Sequence, residues 1–341
     1  MKTIKVGING FGRIGRAFLK IAWDRPEIEI VAVNDLSDVK NLAYLLKYDT
    51  VYKKWEHEIS TNGQAILIDG KEVKVLSEKD PSQLPWKDLG VDVVVESTGL
   101  FTSYDKANVH IQAGAKKVVI TAPAKDGDGT VSGETILLGV NEEKFGTCDV
   151  TSNASCTTNA ASPIIAILDE TLGIEKAILN TVHGYTASQS LVDGISKKDL
   201  REGRAAAQNI VPSSTGAAIA VTKAFPKLEG LFDGISIRVP VVAGSIVDVT
   251  IVSKKNTTVE EVNEIFKKAS MESRWKGIFS ATEEELVSSD ILGSQYGCIA
   301  DLKMTRVVGG NLVKVLAWYD NEMGYTYTLV DHVIKTGNSI K

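Results

Sequence analysis

A single cysteine, Cys156, lies among small hydroxyl and amide side chains in the segment SNASCTTNAASP, residues 152–163. The apolar run that follows it is typical of a helix, which would place the thiol at the positive end of a helix dipole. That end stabilises a thiolate, so the position predicts a lowered thiol pKa and a nucleophile. Pro163, if interior, would bend such a helix and free the Asn159 carbonyl without abolishing it. A lone cysteine is more often an inert buried residue, so the segment alone leaves both alternatives open.

His183, at the end of the predicted strand KAILNTVHGYT (176–186), is the candidate partner of this thiol. An imidazole there could take the thiol proton and later act as an acid or base toward an aldehyde oxygen. A hydrogen-bonded structural histidine is the alternative. The remaining histidines have no polar cluster around them in the sequence, and we expect structural or surface roles for them and for the other two cysteines: His57, His110, His332, Cys148 and Cys298.

Arg238 and the segment SSTG, residues 213–216, are candidate anion-binding groups. An arginine inside an apolar strand is costly to bury unless it pairs with a carboxylate or a bound anion. SSTG offers hydroxyl and backbone donors of the kind that phosphates accept. Runs of charged residues such as KKDLREGR are usually solvated, so we expect little functional contribution from Lys197 and Lys198. Two separate anion sites would fit a phosphorylated substrate and a second phosphate.

The N-terminal segment carries a dinucleotide-binding pattern in Gly10, Gly12 and Gly15 of GFGRIG. It follows a predicted strand and opens a predicted helix, where glycines let the backbone approach a pyrophosphate at the helix start. Asp35 lies about 20 residues further on, at the end of the second predicted strand, as ribose recognition requires. A carboxylate there repels a 2′-phosphate, so the pattern favours NAD over NADP.

The elements that must position these residues differ between the two halves of the chain. Over roughly the first 150 residues, predicted strands at TIKVGIN and EIEIVAVND and valine-rich strands at VDVVVES and AKKVVITAP alternate with helical segments, which predicts a parallel, doubly wound sheet. The Gly- and Asp-rich segment APAKDGDGTVSGET is predicted to be a surface loop.

The second half is predicted to be α+β. The neighbouring runs GISIRVPVV (234–242) and GSIVDVTIV (244–252) suit antiparallel pairing with each other. Thr257 stands three residues before Glu260, which is a capping-box signal for a helix. The tail YTYTLVDHVIKTG has helical spacing. The long aperiodic segment at 190–216 predicts a functional role, because a plain connection would be shorter.

Composition excludes several classes of protein. The chain has 341 residues, which suggests about two domains, and its 43% hydrophobic and 24% charged residues are ordinary for a globular protein. A net charge of −5 argues against a nucleic-acid or anionic-membrane partner. Three scattered cysteines are too few for a disulfide framework or a metal cluster. The N-terminus lacks the apolar core of a secretory signal, and no run has membrane-spanning length, so we expect a cytoplasmic location.

Taken together, these segments resemble the phosphorylating glyceraldehyde-3-phosphate dehydrogenase family over nearly the whole chain. INGFGRIGR, VESTG, SNASCTTN, TVHGYT, GRAAAQNIVPSSTGAA, RVPV and WYDNEMGY occur in the order that the family has. The resemblance implies an α/β protein with a Rossmann-type doubly wound parallel sheet, followed by an α+β catalytic domain with a mainly antiparallel sheet. The implied NAD-binding domain is 1–155, completed by a C-terminal helix at 322–341, and the implied catalytic domain is 156–321.

The resemblance also implies residue roles. Cys156 would attack the aldehyde of glyceraldehyde 3-phosphate beside His183, and hydride transfer to NAD would leave a thioester that inorganic phosphate converts to 1,3-bisphosphoglycerate. The implied phosphate-binding residues are Ser155, Thr157, Thr186, Arg201, Thr215, Gly216 and Arg238. The implied NAD-binding residues are Gly10, Gly12, Arg13, Ile14, Asp35, Lys79, Thr121 and Asn321, the last reaching the carboxamide. A homotetramer is implied, with the loop at 177–205 near a neighbouring subunit's cofactor.

The chain departs from the family's pattern in four places, none of which removes a catalytic group. Ala160 replaces a frequent second cysteine, Met323 replaces a frequent aromatic residue, and the loop before ILLGVN is longer than usual. Ile195 stands where NAD-type members often have proline, which leaves some NADP use open. The alternatives are erythrose-4-phosphate dehydrogenase, aspartate-semialdehyde dehydrogenase and a catalytically idle nucleotide-binding interaction protein. Aspartate-semialdehyde dehydrogenase would not need the phosphate-binding segment SSTG.

Overall fold

The computed structural model describes residues 3–125, 129–196 and 199–340. Its described residues divide into two compact units: the first holds 3–125, 129–136, 142–154 and 329–340, and the second holds 137–141, 155–196 and 199–328. Lys197 and Lys198, of which we expected little, lie outside the described residues, as does part of the predicted loop at 122–135.

The first unit is built on a largely parallel sheet. Its elements are β1 (Ile4–Asn9), α1 (Arg13–Trp23), β2 (Ile28–Asn34), α2 (Val39–Lys47), β3 (Tyr48–Asp49), β4 (Lys53–Lys54), β5 (Ile59–Thr61), β6 (Ala65–Ile68), β7 (Lys71–Leu76), α3 (Trp86–Leu89), β8 (Val93–Glu96), α4 (Tyr104–Ala107), α5 (Val109–Gln112), β9 (Lys117–Ile120), β10 (Gly133–Thr135) and β11 (Val150–Ser152).

Within the described residues, the strand order of this first sheet is β10-β11-β9-β8-β1-β2-β7-β6-β5. Pairing is parallel from β10 to β7, which confirms the predicted parallel sheet. β6 and β5 extend the sheet in antiparallel fashion, an addition that the sequence pattern did not predict. The chain order reverses between β1 and β8, and ligands of such sheets bind beyond the carboxyl ends of the strands at this point.

The core of the first unit explains why its strands are rich in valine. Val94, Val118 and Val150 from three adjacent strands are completely buried and pack with Trp86. Strands covered on both faces select apolar residues at successive positions, so near-continuous valine runs replace the alternation of a half-exposed sheet.

The second unit pairs one long buried helix with a mainly antiparallel sheet. Its elements are α6 (Cys156–Thr171), β12 (Ile174–Gly184), β13 (Val211–Ser214), α7 (Ala217–Ala224), β14 (Phe232–Val239), β15 (Ser245–Ser253), α8 (Val259–Ser270), β16 (Phe279–Thr282), β17 (Cys298–Val308), β18 (Leu312–Tyr319) and α9 (Met323–Asn338), within which the division between the units falls. The predicted tail helix is confirmed as α9. Helix α6 contacts β15, β17 and β18, and it runs unbroken through Pro163.

The predicted pairing of 234–242 with 244–252 was wrong. The second sheet has the order β13-β14-β12-β15-β18-β17-β16 in the described part of this unit, so β12 lies between β14 and β15. The short connection from β14 to β15 crosses the end of β12, where the Tyr185 N–H donates to the Val241 carbonyl (3.0 Å) and the Gly184 N–H donates to the Gly244 carbonyl (3.2 Å). Backbone bonds to a third strand therefore replaced the local hairpin.

The predicted capping box was wrong by one residue. Thr258 is the N-cap of α8, and its hydroxyl accepts a hydrogen bond from the Glu261 N–H at 3.2 Å. Thr257 instead donates to the Glu261 carboxylate at 2.8 Å. Two adjacent threonines and two adjacent glutamates satisfy the same spacing in either register, so the spacing alone could not choose between them.

Candidate active site

Cys156 is the first residue of α6, as predicted. Ser155 is the N-cap, and its hydroxyl accepts from the Thr158 N–H at 3.1 Å, which satisfies one donor of the first turn. Ala154, just before the cap, has a φ of 54°, a left-handed conformation that costs a residue with a side chain about 1 kcal/mol or more. This strained turn after β11 delivers the thiol to the helix start.

The structure brings Cys156, His183 and Arg238 together. The Cys156 Sγ lies 3.5 Å from the His183 Nε2, and the Arg238 Nη1 lies 2.5 Å from the His183 Nδ1. The parallel register of β12 and β14 sets His183 directly beside Arg238, which explains the second contact. His183 is buried, whereas the Cys156 residue keeps partial exposure.

The hydrogen bonds of His183 determine its possible role. Nδ1 lies 2.6 Å from the Gly184 carbonyl oxygen, which can only accept. With the hydrogen on Nδ1, Nε2 presents a lone pair toward the sulfur and can take its proton. Arg238 is also a donor only, so its contact with Nδ1 and the Gly184 bond cannot both be hydrogen bonds of one neutral ring.

The predicted lowering of the thiol pKa was wrong for the chain as it stands. Burial raises the pKa of the Cys156 thiol and outweighs the opposing positive charge of Arg238. Burial, together with the same charge, lowers the pKa of His183 to about 3, against the Gly184 hydrogen bond that raises it. Both side chains are therefore neutral at pH 7, and the pair consists of a thiol beside a neutral imidazole rather than a free thiolate.

Arg238 is partly buried, and of the two partners expected for an arginine in an apolar strand, a carboxylate or a bound anion, the carboxylate is absent among the described residues. No carboxylate lies within ion-pair distance of it among the described residues, and its buried Nε has no hydrogen-bond partner there. A buried donor without an acceptor is costly, since its desolvation is not compensated. The remaining predicted partner is a bound anion.

Tyr319 is a residue of this cluster that the sequence analysis missed. Its buried hydroxyl lies 2.9 Å from the Thr157 hydroxyl and 2.7 Å from that of Thr181. Its ring meets the His183 ring edge-on, with centroids 5.9 Å apart. Burial raises its pKa, so it stays protonated. The only sequence signal was a tyrosine within WYDNEMGY, and a tyrosine by itself is equally typical of a core residue.

The other predicted phosphate-binding residues are less tightly gathered. The Thr215 hydroxyl accepts from the Ala217 N–H at 3.2 Å, and Gly216 is the exposed N-cap of α7. Thr186 contacts the Ser188 hydroxyl at 3.0 Å. Arg201 is exposed and pairs with Asp199 at 2.9 Å, so it is engaged at the surface rather than with the catalytic pair.

The glycine turn of the first unit has the geometry that a dinucleotide needs. Gly10 has a φ of 93°, and a Cβ there would lie 2.6 Å from the Thr98 backbone nitrogen. A Cβ at Gly15 would lie 2.2 Å from the Gly10 carbonyl oxygen. Gly12 faces open space and caps α1. The packing thus excludes side chains beneath the turn and leaves its outer side free for a phosphate at the helix start.

Asp35 closes this turn as predicted. Its carboxylate accepts from the Phe11 N–H and the Ser37 N–H, each at 2.9 Å. Burial opposes ionisation, but these hydrogen bonds outweigh it and lower the pKa of Asp35. The carboxylate is therefore ionised and partly exposed at the end of β2, where it can accept from a ribose hydroxyl.

The remaining predicted NAD residues occupy varied environments. Arg13 begins α1, pairs with Asp49 and lies over the Tyr52 ring, and Ile14 follows it, half-buried. Thr121 follows β9, and Lys79 is exposed after β7. In the second unit, Asn321 is buried, and its side-chain oxygen accepts from the Gly244 N–H at 2.9 Å.

The other histidines do have polar partners, contrary to expectation, and these partners explain their structural roles. His110 accepts from the Trp86 indole at 3.1 Å and donates to Glu96 at 3.0 Å. His332 contacts the Thr151 hydroxyl at 2.8 Å and the Asn153 amide oxygen at 3.1 Å. His57 pairs with Asp69 at 2.6 Å. Partners distant in sequence could not be seen in a local pattern.

The described residues offer neither a metal cluster nor a membrane-spanning helix. They contain no group of three or more His, Cys, Asp or Glu side chains that could hold a metal ion. Within the same residues, every helix is too short or too polar to cross a lipid bilayer.

The glycine turn with its carboxylate and the thiol–imidazole pair define an oxidoreductase that uses a dinucleotide and a cysteine. Comparison with known proteins agrees with this class. Two family models match: "Glyceraldehyde 3-phosphate dehydrogenase, NAD binding domain" over residues 4–104 and "Glyceraldehyde 3-phosphate dehydrogenase, C-terminal domain" over residues 155–321.

Curated relatives carry the same name. The chain is 49% identical to glyceraldehyde-3-phosphate dehydrogenase of Streptomyces coelicolor over 341 residues, which cover 99% of this chain and 100% of that protein. It is 52% identical to that of Thermotoga maritima over 330 residues, covering 96% and 97%. It is 46% identical to glyceraldehyde-3-phosphate dehydrogenase B of Aspergillus oryzae, with the same coverage. The chain belongs to the glyceraldehyde-3-phosphate dehydrogenase family and is an NAD-dependent oxidoreductase.

Proposed function

We propose that this chain oxidises glyceraldehyde 3-phosphate with NAD and inorganic phosphate to 1,3-bisphosphoglycerate, through a thioester on Cys156. The observation that carries the proposal is the Cys156 Sγ at 3.5 Å from the His183 Nε2, at the start of a buried helix. A thiol beside a neutral imidazole is a nucleophile with its own base. The names and high identity of the relatives support the choice of substrate.

In the first step, His183 takes the Cys156 proton at Nε2 while the sulfur attacks the aldehyde carbon. The Gly184 carbonyl holds the ring by accepting from Nδ1 (2.6 Å). The resulting thiohemiacetal oxyanion lies near the start of α6, where the Cys156 N–H and the protonated imidazole can stabilise it. NAD, when bound, supplies the hydride acceptor. Collapse of the thiohemiacetal then leaves a thioester on Cys156.

In the second step, inorganic phosphate attacks the thioester carbonyl and releases the acyl phosphate and the thiolate. His183 returns the proton to the sulfur. Arg238 carries a positive charge without a carboxylate partner among the described residues, so it suits a phosphate of the substrate or the attacking phosphate. Ser155, Thr157, Thr186, Arg201, Thr215 and Gly216 are proposed to complete the two anion positions.

The proposed NAD site lies at the carboxyl ends of β1 and β2. Gly10 and Gly12 would hold the pyrophosphate and Asp35 the ribose, because the turn leaves space outside Gly12 and the carboxylate is ionised. Arg13, Ile14, Lys79, Thr121 and Asn321 are proposed as further contacts. We propose the NAD-binding domain as 1–155 with 322–341 and the catalytic domain as 156–321.

We also propose a homotetramer in the cytoplasm. Exposed apolar side chains on the second sheet, such as Ile178 (60%) and Ile235 (54%), support burial against further copies of the chain, as does the nearly complete exposure of Ile195. The three cysteines are free, which suits a reducing compartment. Light scattering of the purified protein tests the homotetramer, and cell fractionation tests the cytoplasmic location.

The proposed reaction is tested by steady-state assays with glyceraldehyde 3-phosphate and erythrose 4-phosphate. Each aldehyde is supplied with NAD or NADP, and with or without inorganic phosphate. We expect the highest kcat/KM for glyceraldehyde 3-phosphate with NAD, and sustained turnover only with phosphate. Preference for the four-carbon substrate would change the assigned substrate. Absence of turnover in every condition would favour a binding protein instead.

A further inference from the structure

Three buried polar side chains lie at the carboxyl ends of adjacent strands in the first unit. Asn34 ends β2, Asn9 ends β1 and Glu96 ends β8, and each is at most 5% exposed. Polar groups buried in this way are costly unless they are hydrogen-bonded. The Asn34 Nδ2 lies 2.8 Å from the Asn9 Oδ1, and the Asn9 Nδ2 lies 2.7 Å from the Glu96 Oε2. One chain of hydrogen bonds therefore spans three strands.

The Glu78 backbone fixes the direction of these hydrogen bonds. Its N–H donates to the Asn34 Oδ1 (2.8 Å), and its carbonyl accepts from the Asn34 Nδ2 (2.9 Å). Backbone groups have only one polarity, so the orientation of the Asn34 amide is determined. The Asn34 Nδ2 is then the donor to the Asn9 Oδ1, which leaves the Asn9 Nδ2 as the donor to Glu96. From this side, Glu96 accepts.

The Trp86 indole fixes the direction from the opposite side. An indole N–H only donates, and it lies 3.1 Å from the His110 Nδ1. The imidazole hydrogen is therefore on Nε2, which lies 3.0 Å from the Glu96 Oε2. The Thr98 N–H donates to the Glu96 Oε1 at 2.9 Å. Three donors of fixed polarity thus converge on Glu96, a pattern that suits an ionised carboxylate, and no lysine or arginine of the described ranges is within ion-pair distance of it.

Members of this hydrogen-bonded chain immediately precede residues of the proposed NAD site. The pairs are Asn9 and Gly10, Asn34 and Asp35, and Glu78 and Lys79. The residue after Glu96 also contacts the glycine turn: the Ser97 N–H donates to the Asn9 carbonyl (2.8 Å), and the Ser97 hydroxyl donates to the Gly10 carbonyl (2.6 Å). A change in the hydrogen bonds of Glu96 would therefore displace the backbone on which the cofactor lies.

We propose that Glu96 is a positioning residue for NAD, which holds the glycine turn and the neighbouring strand ends in their binding arrangement before the cofactor arrives. The inference rests on the proposed NAD site and deepens it. Glu96 acts through Asn9 on one side and through Thr98 on the other. A site that is ordered in advance loses less conformational freedom on binding, so its affinity for the ligand is higher.

Glu96→Gln tests this role with almost no change of shape. The new amide would direct its hydrogens either at the Asn9 Nδ2 and the His110 Nε2 or at the Thr98 N–H, so that donor faces donor in both orientations. We expect the Kd for NAD, measured by titration calorimetry, to rise about tenfold, because the displaced turn must be ordered on binding. At saturating NAD, kcat should stay within about threefold of the wild-type value, since the thiol–imidazole pair is in the second unit.

The double variant Asn9→Asp with Glu96→Gln exchanges the two polarities and provides the rescue. The new amide then donates to the new carboxylate, and its oxygen accepts from the Thr98 N–H. The His110 Nε2 lies 3.5 Å from the Asn9 Nδ2, so it can donate to the carboxylate placed there. We expect this double variant to bind NAD within about threefold of wild type, whereas two independent losses would add. Asn9→Asp alone brings two carboxylates together and should weaken binding about tenfold.

Asp92→Asn is the matched control. Asp92 is 4% exposed and lies just before the opposite end of β8, where its carboxylate accepts from Lys116 at 2.6 Å and from the Lys5 N–H at 3.0 Å. Its loss should lower the thermal unfolding midpoint without changing the Kd for NAD. An equal loss of NAD affinity in Asp92→Asn would overturn the inference, as would an unchanged Kd in a folded Glu96→Gln protein.

The double variant decides the matter if Glu96→Gln fails to fold. Recovery of both folding and NAD affinity would support the inference, and failure of either would overturn it. Calorimetry and NADH formation with the wild-type protein separate the two proposals. A wild-type protein that neither binds NAD nor forms NADH refutes the proposed function. A wild-type protein that does both, beside a Glu96→Gln variant of equal affinity, refutes only the role of Glu96.

Discussion

The nucleotide turn and the catalytic cluster are assembled in opposite ways. The turn is built from residues 10 to 35, in one strand–helix–strand segment with its own local hydrogen bonds, such as that from the Phe11 N–H to the Asp35 carboxylate at 2.9 Å. The cluster draws Cys156, His183, Arg238 and Tyr319 from one helix and three strands spread over half of the chain. The first is a local structure, whereas the second exists only when the sheet is complete.

The two regions also differ in charge. At the turn, backbone N–H groups donate to the Asp35 carboxylate and stabilise its ionised form. In the cluster, burial raises the pKa of the thiol against the charge of Arg238, and burial together with that charge lowers the pKa of the imidazole, so both are neutral. We expect the turn to serve cofactor binding and the cluster to serve the chemical step. Substitutions in the two regions should therefore separate cofactor binding from chemistry.

Cys156→Ser is expected to give the largest difference between the loss of activity and the loss of NAD affinity. A serine hydroxyl ionises far less readily than a thiol, so NADH formation should fall by about 10³-fold or more. NAD affinity, measured by calorimetry, should change little, because the turn is built from other residues. Cys148→Ser, which retains a donor for the Val150 carbonyl, is the control and should keep normal activity. Activity near wild type in Cys156→Ser would show that another group is the nucleophile.

Arg238→Leu should lower kcat/KM for the phosphorylated aldehyde by about 10²-fold, since a partly buried charge proposed to bind an oppositely charged ligand is removed. The KM for NAD should stay within a few-fold. Arg204→Leu is the comparison, because Arg204 is exposed and pairs with Asp193 at 2.9 Å. Equal losses in both variants would remove the distinction between Arg238 and a surface charge.

Asp35→Asn examines the turn instead. We expect the ratio of kcat/KM for NAD to that for NADP to fall at least about tenfold, because the repelling carboxylate is lost. Glu56→Gln removes one charge at an exposed position and should leave the ratio unchanged. Equal efficiency with the two cofactors in the wild-type protein would contradict the role of Asp35.

Tyr319→Phe should reduce kcat about fivefold, since a buried hydroxyl that bridges Thr157 and Thr181 is lost. Thr181→Val should have a similar effect, and Thr181→Ser, which retains the hydroxyl, should restore most of the activity. The pH profile of kcat/KM should shift with the two damaging variants. If only thermal stability changes, Tyr319 supports the fold and not the position of the thiol.

The smallest effect expected is on stability at mildly acidic pH. Burial lowers the pKa of His183 and of His332 to about 3, so these groups bind protons in the unfolded chain before they do in the folded one. The free energy of unfolding should be constant above pH 6.5, the ordinary histidine pKa, and should decrease as pH falls below it. Each group contributes up to about 1.4 kcal/mol per pH unit. Urea titrations of His332→Gln should show a shallower decrease, and an unchanged slope would contradict the assignment.

The sequence predicted local features well and long-range ones poorly. The glycine turn, the helix after Cys156 and the tail helix depend on nearby residues, and the structure contains them. The separation of β14 from β15 by β12 depends on backbone bonds between distant segments, and no pattern within 234–252 contains that information. The partners of His110 and His332 are likewise distant in sequence.

The prediction of a lowered thiol pKa for Cys156 failed for a related reason. The helix start predicts stabilisation of a thiolate, but the burial that raises the pKa of Cys156 is a consequence of the complete second unit. Tyr319 was missed because an inward tyrosine in a strand resembles any core aromatic residue until Thr157 and Thr181 are seen beside its hydroxyl.

The most direct test of the account is a rapid-mixing experiment with glyceraldehyde 3-phosphate and NAD in the absence of inorganic phosphate. We expect a burst of about one NADH per chain, the signature of acyl-enzyme accumulation, followed by slow turnover that phosphate accelerates. Mass spectrometry should find the acyl group on the peptide that contains Cys156. A burst that persists in Cys156→Ser, or steady turnover without a burst and without any need for phosphate, would contradict the thioester on Cys156.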